Sequence, residues 1–332
     1  MSRPKILYAA TNRLGASYQF RRCLSKLSKN IYDIKTAGYR RMNEHLDWTL
    51  DALLDIKNPS YISINNDNFD ILFEQIKSFN PNLIISDLEP YTSYAGQLLN
   101  IPVWQVSPLL LYQCDLKASN IKSKNVFNKY QVLYNDNFLT DQLIKNIIIN
   151  SEKKFVYSYL ADTDWSITLP TNFEWMRPYH TVGEFSQTCQ HCVVASVNTT
   201  KIINSINLKY NKSKIKDVVI FSDTRKIINT NFIYKNINFA SEYACNVKNC
   251  EYFLTDGSTD TISDAFYNNK YCIIIPELFE KESILNMLLA ERCGLGHVAY
   301  TGRFPNSLKI VQSNYKDNIP YLHTKIDEYF HR

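Results

Sequence analysis

The sequence predicts an α/β protein of two domains, each a parallel sheet with helices on both faces, set across a cleft. Short β-like runs alternate with helical patterns along the whole chain. The alternation restarts after a proline-containing, aperiodic stretch near the middle. At 332 residues the chain is long for one domain and comfortable for two. With 45% apolar and 21% charged residues, it has material for two cores.

In the first half the strands fall at Lys5–Ala10, Tyr61–Ile64, Leu83–Ser86 and Val103–Val106. After the first strand, Phe20, Cys23, Leu24 and Leu27 form one helical stripe, with Arg21, Arg22, Lys26 and Lys29 off it. Asn68–Phe79 repeats that pattern, and Leu139–Leu160 reads as a long helix closing the half. Ile167 to Gly183 holds two prolines and no periodicity, which marks an interdomain crossover. The expected organisation is therefore 1–166, a linker over 167–183, and 184–332. The second half restarts with strands at Cys192–Val197, Val218–Ser222, Tyr252–Thr255 and Tyr271–Pro276. Ligands of such sheets sit beyond the carboxyl ends of the strands.

The totals exclude several classes. A net charge of +5 is far from a histone-like composition. Met1–Leu7 lacks the apolar core of a secretory signal, and no run reaches the roughly 18 apolar residues of a membrane span. Eight cysteines scattered over a chain of this size fit reduced thiols, so the expected location is cytoplasmic, or a host cytoplasm if the chain is viral. Cys189, Cys192, Cys245 and Cys250 could form a four-thiolate zinc site if they met in space. Their loose spacing and flanking strands favour burial instead, and no metal is expected.

Residues 254–264 read L-T-D-G-S-T-D-T-I-S-D, a strand end running into a helix start. Backbone N–H groups around Gly257, backed by Ser258 and Thr259, could hold a phosphate, with Asp264 one to two turns on as a partner for a ribose diol. The alternative is an ordinary capped helix, with Ser258 or Thr259 as cap.

From Thr255 to Gly296 the chain resembles the donor-binding half of nucleotide-sugar glycosyltransferases of the GT-B fold. Their pattern runs T-H-G-G-x-x-[ST]-x-x-E-A, a strand ending in proline, D-Q-x-x-N-A, then G-x-G. Thr255, Asp256, Gly257, Ser258, Thr261, Asp264 and Ala265 fall on the first block, Pro276 ends the strand, and Glu282, Ser283 and Asn286 fall on D-Q-x-x-N. Gly294-Leu295-Gly296 falls on the final turn. Leu83–Trp104, with D-L-E-P and then N-I-P-V, is similar to the acceptor-domain segment of the same superfamily, especially proteins related to the N-acetylglucosaminyl transferase of peptidoglycan synthesis. UDP-glycosyltransferases belong to the same comparison.

The resemblance implies two Rossmann-like domains and transfer of a sugar from a nucleoside diphosphate sugar, a UDP-sugar by analogy, to a hydroxyl. It implies an inverting, metal-independent reaction with the nucleotide sugar as co-substrate and no further cofactor. Donor contacts would come from Ser196, Asn198, Thr199, Asp256, Gly257, Ser258, Thr259, Asp264, Glu282 and Asn286. Acceptor contacts would come from Asn12, Arg13, Gly15 and Ser17. Relatives carry a basic histidine after the first strand, where this chain has Gly15-Ala16-Ser17. Asp87 and Glu89 are the substitutes as base, although Asp87 could instead cap the following helix and Glu89 be solvated. Asp256 stands where relatives have histidine, and Ser283 where they have glutamine. The spacing of Asp256 and Asp264 also matches the Glu-x7-Glu pair of retaining GT-B enzymes.

Arg13 could meet an acidic acceptor, while Arg21 and Arg22 read as a solvated helix face. The acceptor stays open between a glycan, a lipid-linked sugar and a hydroxymethylated base in viral DNA, the last of which requires extrusion of the base. A catalytically degenerate nucleotide-sugar binder and a nucleotide-sugar epimerase are the other classes.

Overall fold

The computed structural model describes residues 3–10, 19, 22–23, 26–27, 31–38, 61–63, 69–113, 142–163, 169–180, 191–195, 217–222, 233–236, 240–275, 281–298 and 318–331. In these residues the chain builds two sheets in which every strand pair is parallel.

The first sheet contains β1 (Lys5–Ala10), β2 (Asp33–Gly38), β3 (Tyr61–Ser63), β4 (Leu83–Asp87), β5 (Val103–Ser107), β6 (Lys153–Tyr157) and β7 (Phe173–Met176) in the order β3-β2-β1-β4-β5-β6-β7. The second contains β8 (His191–Ala195), β9 (Asp217–Ser222), β10 (Ile233–Asn236), β11 (Tyr252–Thr255), β12 (Cys272–Ile274) and β13 (Gly296–Val298) in the order β10-β9-β8-β11-β12-β13. Both follow the doubly wound order, in which the strand sequence reverses at a switch point and leaves a crevice beyond the carboxyl ends.

Central strands covered on both faces read as continuous apolar runs, and β4 (L-I-I-S-D) and β5 (V-W-Q-V-S) are buried throughout. Alternate residues of β1 serve opposite cores. Leu7 and Ala9 pack with Leu72 and Ile76 of α1 (Phe69–Phe79) and Ala95 of α2 (Pro90–Leu98). Ile6 and Tyr8 pack with Cys23, Leu27, Trp104, Phe155 and the last helix, α7 (Leu322–Phe330). The remaining helices are α3 (Gln142–Ile149), α4 (Ala240–Asn249), α5 (Thr259–Tyr267) and α6 (Lys281–Arg292). A third core joins Leu110, Ile147, Val156 and Tyr159 to Phe221, Phe253, Phe266 and Leu285, so apolar packing runs from one sheet to the other.

Several elements differ from the sequence reading, which contains neither β10 nor β13. β2 (D-I-K-T-A-G) alternates too weakly to stand out, because only its last three residues are buried. The expected helix over Leu139–Leu160 splits into α3 and β6. Ser151 ends α3 by donating to the Ile147 carbonyl while accepting from Gln105, and K-K-F-V-Y then enters the sheet. The expected linker over 167–183 carries β7, which extends the first sheet from β6. Its prolines flank the strand at Pro170 and Pro178, as an edge strand tolerates. The last helix also departs from the expected division at 184, since Leu322 and Ile326 are buried against the first sheet.

That packing is testable. Ile326→Ala is expected to cost about 2–5 kcal/mol, with the loss reported by the first sheet's Trp104, whose ring meets Tyr329 of α7 edge-on at 5.1 Å. Urea unfolding followed by tryptophan fluorescence measures it; an unchanged midpoint would detach α7 from that core.

Candidate active site in the cleft

The first switch point lies between β1 and β4, where Ala10 is paired with Asp87. The acceptor residues Asn12, Arg13, Gly15 and Ser17 expected on the β1 side lie outside the described residues. On the β4 side the chain turns sharply: Leu88 has φ of 51°, and Glu89 caps α2, accepting from Tyr91 N at 3.1 Å and Thr92 N at 2.7 Å. Glu89 is 0% exposed. Both carboxylate oxygens therefore serve the helix start, which corrects the expectation that Glu89 is solvated or acts as base. Asp87 is not the cap. It lines a cavity of about 20 Å³ with Tyr8, Gln19, Tyr157, Arg177 and Tyr179, room for about one water. Burial, followed by the charge of Asp87, raises the Tyr8 hydroxyl well above its ordinary pKa.

The second switch point lies between β8 and β11, where Ala195 is paired with Thr255. Ser196, Asn198 and Thr199 lie outside the described residues, as does the side chain of Glu282, which stands in the first turn of α6. The T-D-G-S-T loop is fully described, and its polar groups face one another. Gly257 N donates to Thr255 Oγ1 at 3.1 Å, Ser258 N to Asp256 Oδ1 at 3.1 Å, and Thr261 N to Ser258 Oγ at 3.4 Å. Ser258 is the N-cap of α5. The amides of Gly257 and Ser258, expected to hold a diphosphate, are thus engaged by the loop's own side chains. Gly257 has its own steric reasons: φ is +95°, and a Cβ would stand 2.9 Å from the Ser283 carbonyl oxygen at the start of α6. Asn286, expected on the sugar, is 1% exposed and donates to Thr259 Oγ1 at 2.8 Å, tying α6 to α5.

One face of α5 crosses to the first sheet. Asp260 accepts short hydrogen bonds from Tyr157 at the end of β6 and from Gln19. One turn on, Asp264 pairs with Arg22 at 3.4 and 3.5 Å. At the far end Tyr267 donates a short bond to Asp162, which Arg177 holds bidentately at 2.9 and 2.8 Å. The His180 ring stacks on Tyr267 at 3.6 Å. Burial pushes the Asp260 carboxyl up to about 7, against the downward pull of Tyr157, Arg22 and Gln19. Arg22 is therefore not part of a solvated face, and Asp264, 3% exposed, meets an arginine where a ribose was expected.

No protein-family model and no curated protein matches the chain. Solved structures do. The calicheamicin glycosyltransferase CalG4 superposes with a TM-score of 0.57 at 13% identity, over 93% of this chain and 87% of that one. The spinosyn forosaminyltransferase SpnP gives 0.56 at 14% identity, over 91% and 87%. A protein described as a UDP-N-acetylglucosamine 2-epimerase from Listeria monocytogenes gives 0.55 at 10% identity, over 99% and 97%. The chain has a GT-B fold.

Within this GT-B fold the cleft lies where the sequence places it, but its polar groups are differently engaged. The cross-cleft residues Gln19, Tyr157, Asp162, Arg177 and Asp260 were not among the expected site residues. Asp260 and Asp264 carried a signal, being one turn apart on a helix whose start faces a switch point. Among the described residues, no group of three or more His, Cys, Asp or Glu is placed to hold a metal ion. Cys189 lies outside the described residues, so the zinc arrangement is not addressed by them.

Gly257→Ala is expected to destabilise the chain by more than about 1 kcal/mol, measured by urea denaturation; an unaltered midpoint would contradict the close approach of Ser283. Asp260 gives a pH signature. Its folded pKa of about 7 exceeds its ordinary 3.8, so the proton's stabilisation is complete below the ordinary value and is lost as pH rises through about 7. Arg22, Asp264, Gln19, Tyr157 and Tyr8 face this group. Across that window wild type should lose melting temperature relative to Asp260→Asn, and a pH-independent difference would refute the raised pKa.

Proposed function

We propose that the protein transfers a sugar from a nucleoside diphosphate sugar, a UDP-sugar by analogy, to an acceptor hydroxyl, with inversion and without a metal. The observation that carries this reading is the placement of two switch-point crevices on one cleft. The first turn of α5 from the second sheet reaches the carboxyl end of β6 in the first through Asp260 and Tyr157. The resemblance of Thr255–Gly296 to donor-binding sequences supports it independently, as does the likeness to a Streptomyces glycosyltransferase, SsfS6, complexed with thymidine diphosphate (TM-score 0.56, 11% identity, 89% of this chain and 88% of that one).

In this reading Asp87 is the base. Its carboxylate takes the proton from the acceptor hydroxyl as the new C–O bond forms at the anomeric carbon. The old bond breaks with its electron pair going to the diphosphate. The N-terminal dipole of α5 lies on the donor side, where it offsets leaving-group charge. Asp264 takes the ribose once free of Arg22.

A second reading has a specific observation behind it. The chain matches the epimerase-described structure over nearly the full length of both, and Asp260 supplies a carboxyl with a pKa of about 7 in the cleft, suited to proton transfer near neutrality. Incubation with nucleotide sugars, with and without hydroxyl acceptors including hydroxymethylated DNA, separates the two: transfer or hydrolysis releases a nucleoside diphosphate, whereas epimerisation keeps the nucleotide sugar intact at this level. For transfer, Asp87→Asn is expected to lower kcat about 10²–10⁴-fold with little change in donor KM; an unchanged kcat would remove Asp87 as base.

A further inference from the structure

Asp87, Tyr8, Gln19 and Tyr157 all line the cavity of about 20 Å³ beside β4, which has room for about one water. A buried water needs about two to four polar partners, and these side chains supply them. Two of them also donate to Asp260 of α5, Tyr157 through its hydroxyl and Gln19 through its amide. Asp87 thus stands at the cavity, and Asp260 stands one residue behind it. The Tyr8 hydroxyl feels both, because after burial the charges of Asp87 and Asp260 each raise its pKa. The two carboxyls come from different halves of the chain.

The lining groups differ in what they can carry. Gln19 accepts from Tyr179 N at 2.7 Å and donates to Tyr179 O at 2.9 Å. Its amide is fixed in orientation, and an amide donates without being ionisable. Tyr179 also lines the cavity, but its hydroxyl is turned to α7. There it accepts from His323 N at 3.0 Å and meets the His323 ring at 2.6 Å. Arg177 is engaged bidentately by Asp162. Tyr157 is the lining phenol whose proton already points at Asp260. A phenol oxygen accepts as well as donates, so it can take a proton on one side while giving its own on the other.

We propose that Asp87 and Asp260 act as a pair across the cavity, with a proton taken up by Asp87 passed through one water and the Tyr157 hydroxyl to Asp260. The proposal rests on the reading of Asp87 as base. The acceptor hydroxyl gives its proton to Asp87 as its oxygen bonds the anomeric carbon. Asp87 gives that proton to the water, the water gives one of its own to Tyr157, and Tyr157 gives its hydroxyl proton to Asp260. Asp87, the water and Tyr157 end as they began, and Asp260 ends protonated. Asp260 suits that end of the path, since its carboxyl is pushed up to about 7. Part of Asp260 remains exposed, so the proton can leave to solvent. Arg22, Asp264, Tyr8, Tyr157 and Gln19 face Asp260, while Tyr8, Tyr157, Arg177 and Tyr179 share the cavity with Asp87. Asp260 is thereby a positioning residue, which acts by returning Asp87 to its charged form.

Asp260→Asn and Tyr157→Phe are each expected to lower kcat for UDP release from UDP-glucose about tenfold, short of the roughly 10²–10⁴-fold of the base itself, with donor KM unchanged. Wild-type kcat should rise with pH through about 7 as Asp260 ionises. Asp260→Asn should lose that rise, and Asp260→Glu should restore it. A readout independent of turnover is carbon NMR of the aspartate carboxyls in the full chain. Asp87→Asn, with Asp87→Ser as a second variant, removes a neighbouring negative charge and should move the Asp260 titration to lower pH. A titration unmoved by both Asp87 variants overturns the pair. So does a wild-type kcat and pH profile in both Asp260→Asn and Tyr157→Phe. A moved titration in a chain that releases no nucleoside diphosphate from UDP- or dTDP-sugars upholds the pair and overturns the glycosyl-transfer reading instead.

Discussion

Asp260, Asp264 and Tyr267 on one face of α5 meet groups of the first sheet, and the position of each half depends on these pairings. A carboxylate withdrawn from water costs several kcal/mol unless a partner replaces the lost hydration. Asp264 and Asp162 are almost entirely withdrawn, and their partners come partly from the other half of the chain. Apolar packing also runs between the sheets, with Tyr159 against Phe266. Apolar contact is tolerant of small slides, whereas directional hydrogen bonds to a buried carboxylate are not. The polar pairs therefore fix the register of the two halves, and the apolar core supplies adhesion.

The alternation of strands and helices, and the resemblance carried by Thr255–Gly296, made the architecture legible from the sequence. β1, β4, β5 and β11 are apolar runs closed by turn residues, and such runs announce themselves. β2 and β7 did not, because one is half-exposed and the other is an edge strand between prolines. A segment whose burial is decided by its neighbours carries little periodicity of its own. α3 and β6 merged into one expected helix for a related reason: the break at Ser151 depends on Gln105, which lies 46 residues away in sequence.

Site chemistry was less legible than position. Asp256, Gly257, Ser258, Asp264 and Asn286 all stand around the second switch point or the helices leading from it, as the family pattern implies. What the pattern does not encode is the direction in which each polar group is engaged. Thr255, Asp256 and Ser258 satisfy the loop's own amides, a competition that short hydroxyl and carboxylate side chains readily win near backbone. Glu89 shows the same substitution of roles, its carboxylate held by two helix-start amides. Spacing locates such residues, but three-dimensional partners decide what they do.

The chain passes between the halves twice, after β7 and again before α7, and the two passages touch. Arg177 N donates to the Pro320 carbonyl at 3.1 Å, Tyr179 stacks on Tyr321 at 5.2 Å, and the Tyr179 hydroxyl meets the His323 ring at 2.6 Å. A single tether allows swivelling about its own bonds, but paired tethers joined side by side resist torsion and leave bending as the easy motion. The same doubling works against exchange of a whole half between molecules, because two passages would have to be undone together.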